Sequence, residues 1–316
     1  MRRPNVSIVI VIAEICSTII FLLLVFVLQV CSYAMPSPNP PMVDVTQLPE
    51  IAGNSSSATK INDESCLLVI RLYLVRHGET EANRNRIAAG QMKSPLTDLG
   101  VRQATALQAA ISHLGFDAFV VSDMERTRHT ARLVAPHPST AFLVEARLRE
   151  MAKGAREGFP KSMAYEEALR MRQQSGAEAD DVPPKLESDE DVWTRVSDWL
   201  METLREVATL YGESAEPSPP QSRLHSILAV THAGVIRTLC AQLVPEQLPK
   251  SVDISAMGRD GSTEKHLVVP NGSVTVLDFI LRDQGADLQK KLAEAERATD
   301  LFEIKLKLLN WNDHLL

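Results

Sequence analysis

The spacing of apolar residues changes period several times after residue 67. Residues 67–75, LLVIRLYLV, are apolar apart from Arg71 and Tyr73. So short and dense a run predicts a strand covered on both faces. Residues 94–115, SPLTDLGVRQATALQAAISHLG, take up helical spacing, with Thr97 as N-cap and Gly115 as C-terminal stop. FDAFVVSD (116–123) predicts a second strand, followed by a helix over MERTRHTARLVA (124–135). The longest helical pattern covers 188–211. It opens on Ser188 with Asp191 three residues on, and Trp193, Val196, Leu200, Leu204 and Val207 form a core-facing stripe. LHSILAVT (224–231) predicts a third strand, AGVIRTLCAQLV (233–244) a helix and GSVTVLDFIL (272–281) a fourth strand. Alternation of this kind implies a three-layer α/β/α fold with a mostly parallel sheet. The polar stretches 173–191 and 212–223 read as exposed loops, and there is no internal repeat.

Upstream, residues 6–30 are almost wholly apolar behind the basic start Met-Arg-Arg-Pro. About twenty such residues cross a bilayer. Residues 1–34 are therefore expected to be a signal anchor, or a signal peptide whose cleavage site uses the small residues Ser32 and Ala34. The run exceeds the roughly 7–15 residues usual for a signal peptide, which favours the anchor. Residues 35–66 are rich in Pro, Ser and Asn and predict a disordered linker. Asn54 within it is a glycosylation acceptor if that segment is lumenal. This leaves 67–316 for one globular domain. The placement is thus membrane or secretory pathway, or cytoplasm if translation starts at Met35.

The whole chain of 316 residues carries a net charge of −7, which speaks against a nucleic-acid partner. A local convergence of arginines on a small anion remains open, and no protein partner can be inferred. Its four cysteines are too few for a disulfide framework, and Cys66 and Cys240 read as buried thiols.

In an open α/β sheet, ligands bind beyond the carboxyl ends of the strands. The first strand ends in Arg76-His77-Gly78, the second leads to Arg126, and the third ends in Thr231-His232-Ala233-Gly234. Each residue alone has a dull reading, as a hydrogen-bonded histidine or a solvated arginine. Together they suit phosphoryl transfer: an imidazole can attack phosphorus, and planar guanidinium forks match its equatorial oxygens. Gly78 would let the backbone approach the phosphate.

The blocks LVRHGETEAN, SPLTDLGVRQA, SDMERTRHTA, LREMAKGAREG and THAG occur in the order found in the histidine phosphatase superfamily, which includes the phosphoglycerate mutases. Over residues 70–280 the chain resembles that superfamily, and within it the fructose-2,6-bisphosphatases. The resemblance implies a phosphoglycerate mutase-like fold with His77 as nucleophile. Arg76, Arg126 and Asn83 become phosphoryl contacts, and His232, if protonated, a further donor. Glu150 becomes a general acid that holds its proton beside the anionic substrate. Gly90, Gln91 and Lys153 become substrate-binding residues, and no metal or other cofactor is implied. After Glu150 the mutases carry Arg-His-Tyr, whereas this chain has Met151, Ala152 and Lys153. A phosphatase of a small phosphorylated metabolite, such as a sugar bisphosphate, is therefore favoured over a mutase. Retention of the central residues disfavours a silent, membrane-tethered binding module. His113, His129, His137, His225, His266 and His314 match no catalytic position.

If residues 6–30 are an uncleaved anchor, the positive-inside bias puts the globular domain outside the cytoplasm. Full-length protein expressed in cells is expected to sediment with membranes in high salt and to shift in size on glycosidase treatment. Soluble protein starting near Met35 would contradict the anchor, as would secretion of a cleaved form.

Overall fold

Apolar side chains that alternate along a strand must be covered on both sides, and the layers of this protein follow from that requirement. The computed structural model describes residues 68–175, 185–213, 223–250, 267–281 and 287–315. The expected anchor, the linker, Asn54, Cys66 and His266 lie outside the described residues. Among the described residues, no helix is long and apolar enough to cross a membrane.

In chain order the elements are β1 (Leu68–Arg76), α1 (Glu81–Arg84), α2 (Asp98–Ile111), β2 (Ala118–Val121), α3 (Glu125–Val134), β3 (Leu143–Val144), α4 (Tyr165–Ser175), α5 (Asp189–Glu213), β4 (Arg223–Thr231), α6 (Ala233–Leu243), β5 (Val274–Leu281), α7 (Leu288–Glu294) and β6 (Phe302–Trp311). Leu68, Ile70, Leu72 and Leu74 of β1 belong to one core, with Val196, Leu200 and Leu204 of α5 and Ile236 and Leu239 of α6. Tyr73 and Val75 belong to a second core, with Ala104 and Leu107 of α2 and Ala131 and Val134 of α3. Helices therefore cover both faces, as the alternation predicts. The expected stripe on α5 is confirmed, except that Trp193 is only partly buried. Each fully buried leucine contributes about 1.5–3 kcal/mol.

The caps hold as well. Thr97 Oγ1 accepts from Gly100 N at 3.1 Å. Ser188 and Asp191 exchange backbone and side-chain bonds of 2.8 and 3.1 Å. α2 stops at Ile111 with Ser112 as its C-cap, ahead of Gly115.

The sheet order is β3-β2-β4-β1-β5-β6. The pairings of β1 with β4, β4 with β2 and β2 with β3 are parallel. The sheet is thus mostly parallel, as expected, and β5 departs from that direction: it runs antiparallel to β1, with Val75 opposite Val274. Its start, not its end, thus lies at the edge where β1 and β4 finish. β6 pairs antiparallel to β5 and is an element the sequence reading omits, despite apolar Phe302, Ile304 and Leu306 alternating with Glu303, Lys305 and Lys307. β3, α4 and α7 are also additions. α4 and α5 take Gln173 to Ser175 and Asp189 to Asp191 out of the expected loop.

Arg71 and Asp278 face each other across β1 and β5, joined by bonds of 2.7 and 2.9 Å with side chains 13% and 6% exposed. Removing one partner of such a pair leaves a charge uncompensated. Asp278→Ala is expected to lower the unfolding free energy by about 3 kcal/mol in urea titration. Replacing both residues by leucine is expected to recover most of that loss.

Candidate active site

β1 and β4 run side by side and end together, so the residues that follow them share one edge. The last rung is His77 N donating to Thr231 O at 3.1 Å. Beyond it the His77 and His232 rings stand 5.2 Å apart at 62°. His77 Nδ1 lies 2.7 Å from Gly78 O. A carbonyl only accepts, so Nδ1 carries the proton and Nε2 keeps its lone pair. Burial holds His77 well below the usual imidazole range, and Arg126, His232 and Arg76 reinforce it. A neutral ring with a free Nε2 is the form that can act as a nucleophile.

His232 is fully buried, with Nε2 3.1 Å from Ser122 Oγ and Nδ1 unpartnered. Burial, Arg126 and Arg76 keep it well below the ordinary imidazole value, so it is neutral here, not protonated as the resemblance allows. When Ser122 donates to Nε2, Nδ1–H becomes a donor. Arg76 Nη1 donates to Val269 O, while its Nε is buried without a partner. Two adjacent residues thus keep polar atoms dry and unpaired. Each costs about 1–3 kcal/mol, which an anion's oxygens would return.

Glu150 sits across from these groups. Its Oε1 accepts from Met151 N at 2.8 Å, and its Oε2 from Gly234 N at 3.3 Å. A side chain at Gly234 would put Cβ 2.0 Å from Oε1, so this approach requires glycine. Burial favours the protonated carboxyl, but Arg237, Lys153, the Met151 N–H and Arg126 outweigh it and bring Glu150 down to about 2. These neighbours hold it as an anion, so the proton it is expected to hold beside a substrate has to come with that substrate's charge. Burial lowers Arg76 to about 10 against the pull of Glu150, with Arg237 and Arg126 adding to the fall.

The family profile of the histidine phosphatase superfamily, branch 1, matches residues 72–285. The chain belongs to this superfamily. A Yersinia pestis protein named "probable phosphoglycerate mutase GpmB" is 35% identical over 117 residues, which are 36% of this chain and 54% of that protein. The match thus spans about half the length of such curated relatives. Among solved structures, the alpha-ribazole phosphatase from Shigella flexneri is 25% identical with TM-score 0.50, the match covering 77% of this chain and 96% of that one. A mycobacterial glucosyl-3-phosphoglycerate phosphatase, in a complex with VO3, is 24% identical with TM-score 0.51, over 76% and 98%. The phosphoglycerate mutase-like fold expected from the sequence is the fold observed.

In this member of the superfamily, Arg76, His77, Arg126 and His232 act on one another electrostatically, Glu150 couples to Arg76 and Arg126, and Lys153 joins through Glu150. Arg126 donates to Gly90 O at 2.7 Å and Met92 O at 3.1 Å, so part of its fork braces a loop. Gly90 and Gln91 reach the cluster through such braces. Gln91 N donates to the buried Glu157, and its Nε2 to Glu150 O at 3.1 Å. Gly78 also needs a different account: a Cβ there would meet Gly100 O at 2.4 Å, so the glycine serves packing against α2. A hollow of ≈ 620 Å³ beside the cluster is lined by Gln91 and Arg126 among others, but not by His77, His232 or Glu150.

Sequence reasoning missed Arg237, Lys161 and Ser122. Arg237 lies one helical turn after Gly234 and so shares the face toward Glu150, a spacing that was legible. Lys161 acts on the cluster from a loop held by Lys161 N to Arg86 O at 2.9 Å, and no periodicity marks it.

Because burial and neighbouring cations favour neutral imidazoles, His77 and His232 are expected to show no titration between about pH 5 and 8 in imidazole NMR of the unliganded protein. An inflection near pH 6.5 for either ring would contradict the described surroundings.

Proposed function

We propose that this chain is a phosphomonoesterase that works through a phosphohistidine at His77. The observation that carries the reading is the fixed His77 tautomer, with Nε2 free beside the unpaired donors of Arg76 and His232. Nε2 gives its electron pair to phosphorus as the bond to the leaving oxygen breaks. Arg76, Arg126, Asn83 and neutral His232 donate to the equatorial oxygens. Glu150 protonates the leaving oxygen, then takes a proton from the water that attacks the phosphohistidine. Since its neighbours hold Glu150 as an anion, the required proton enters with the substrate as its phosphate monoanion. A phosphate ester loses that proton near pH 6. The bound phosphate then offsets the arginines and lets Glu150 hold it.

Lys153, Lys161 and Arg237 add positive charge around Glu150 beyond what one phosphoryl group needs. That surplus suits a substrate with a second anionic group, and fructose 2,6-bisphosphate fits it. The sequence resemblance to the fructose-2,6-bisphosphatase TIGAR supports the same choice. A mutase is the second reading, favoured by the similarity to the Yersinia protein and disfavoured by Met151 and Ala152.

A phosphate-release screen of sugar phosphates, phosphoglycerates and phosphopeptides tests the reading. Sugar bisphosphates are expected to rank first, and His77→Ala to abolish turnover. Glu150→Gln is expected to slow sugar phosphate hydrolysis by about 10²–10⁴-fold. The loss shrinks for p-nitrophenyl phosphate, whose leaving group needs no proton. Turnover by His77→Ala would refute the phosphohistidine, and efficient isomerisation of 3-phosphoglycerate would restore the mutase.

A further inference from the structure

Because β5 runs against β1, the turn that enters it, Pro270-Asn271-Gly272-Ser273, lies at the edge where His77 emerges. Arg76 N donates to Ser273 O at 3.0 Å, and Gly272 N is shared between Arg76 O and His77 O at 3.2 and 3.3 Å. The turn is backed from the C-terminal side, where His314 Nε2 lies 3.0 Å from Gly272 O and its ring packs 4.6 Å from Trp311. Asn271 faces the other way. Its Nδ2 donates to His77 O and to Asn83 Oδ1, both at 3.1 Å. Asn83 Oδ1 also accepts from Thr80 N at 3.3 Å and from the Thr80 hydroxyl at 3.1 Å.

Donors converging on one oxygen decide which way round an amide sits. The Asn83 oxygen is occupied, and its NH2 bonds to no described residue. Turned over, the same amide would present an oxygen to phosphoryl oxygens and repel them. We propose that Asn271 is a positioning residue for phosphoryl transfer: it locks the Asn83 amide with its N–H donors free for the phosphoryl group and ties that lock to the His77 carbonyl. The inference rests on the reading that a phosphoryl group binds at His77 and Asn83. Thr80 supplies the remaining bonds to Oδ1, so the lock weakens without Asn271 but is not lost.

The test is a double-mutant cycle of Asn83→Ala and Asn271→Ala in the full chain, with p-nitrophenyl phosphate as substrate. Asn271→Ala is expected to lower kcat/KM about tenfold, roughly the worth of one hydrogen bond. In the Asn83→Ala background it is expected to have almost no effect. In amide NMR, inorganic phosphate is expected to shift the Asn83 side-chain signals of the unaltered chain and to shift them much less in Asn271→Ala. Losses that multiply, or equal phosphate shifts, would overturn the lock and leave Asn271 a brace of the turn. If Asn271→Ala does not fold, Asn271→Ser takes its place in the cycle. Failure of the underlying reading shows separately, as no turnover by the unaltered chain or none lost in Asn83→Ala, and either also removes the proposal.

Discussion

The rung from His77 N to Thr231 O is the constraint on which the site depends. It is the last of a parallel ladder in which Arg76 stands opposite Thr231, so the residues after both strands leave the sheet together. A slip of one residue would exchange the faces of every side chain on β1, and both cores resist that exchange. Packing far below the edge thereby sets the spacing of two imidazoles above it. The precision of the site is inherited from the core.

On this frame the charges are arranged around an unmet demand. Arg76 is drawn out of water with its Nε unpaired, the histidines are kept neutral, and the carboxylate is held ionised by its neighbours. A bound anion would pair the unmet donors and, by offsetting the cations, press Glu150 toward its protonated form. An oxygen-rich group entering here replaces a hydration shell with preorganised donors, whose reorganisation was completed on folding.

Strong periodicity made β1, α2, α5 and α6 legible, because a strand buried on both faces or a long amphipathic helix leaves a pattern that local sequence carries. Arg76, His77, Arg126, Glu150 and His232 were legible from motif order. Others escaped for a physical reason. The rule that ligands lie past strand carboxyl ends directs attention to β1, β2 and β4, whereas Asn271 precedes an antiparallel strand, whose direction no period reveals. The state of Glu150 escaped because it depends on Arg237 and Lys153, brought near only by folding. β6 escaped although its alternation is plain.

The two edges of the sheet differ in how they stop. β3 is a pair of residues, too short to template another strand, whereas β6 is ten residues long and has part of its open edge covered by Gln247, whose Nε2 donates to Ile304 O at 3.0 Å and whose Oε1 accepts from Leu306 N at 2.7 Å. Along β6 the charged Glu303, Lys305 and Lys307 recur at alternate positions, with Lys305 and Glu303 paired at 3.0 Å. A foreign strand laid beside them would have to strip water from each ammonium and carboxylate in turn. The same alternation that seats β6 on β5 thus discourages chains from adding edge to edge, and colloidal stability is written into the last strand.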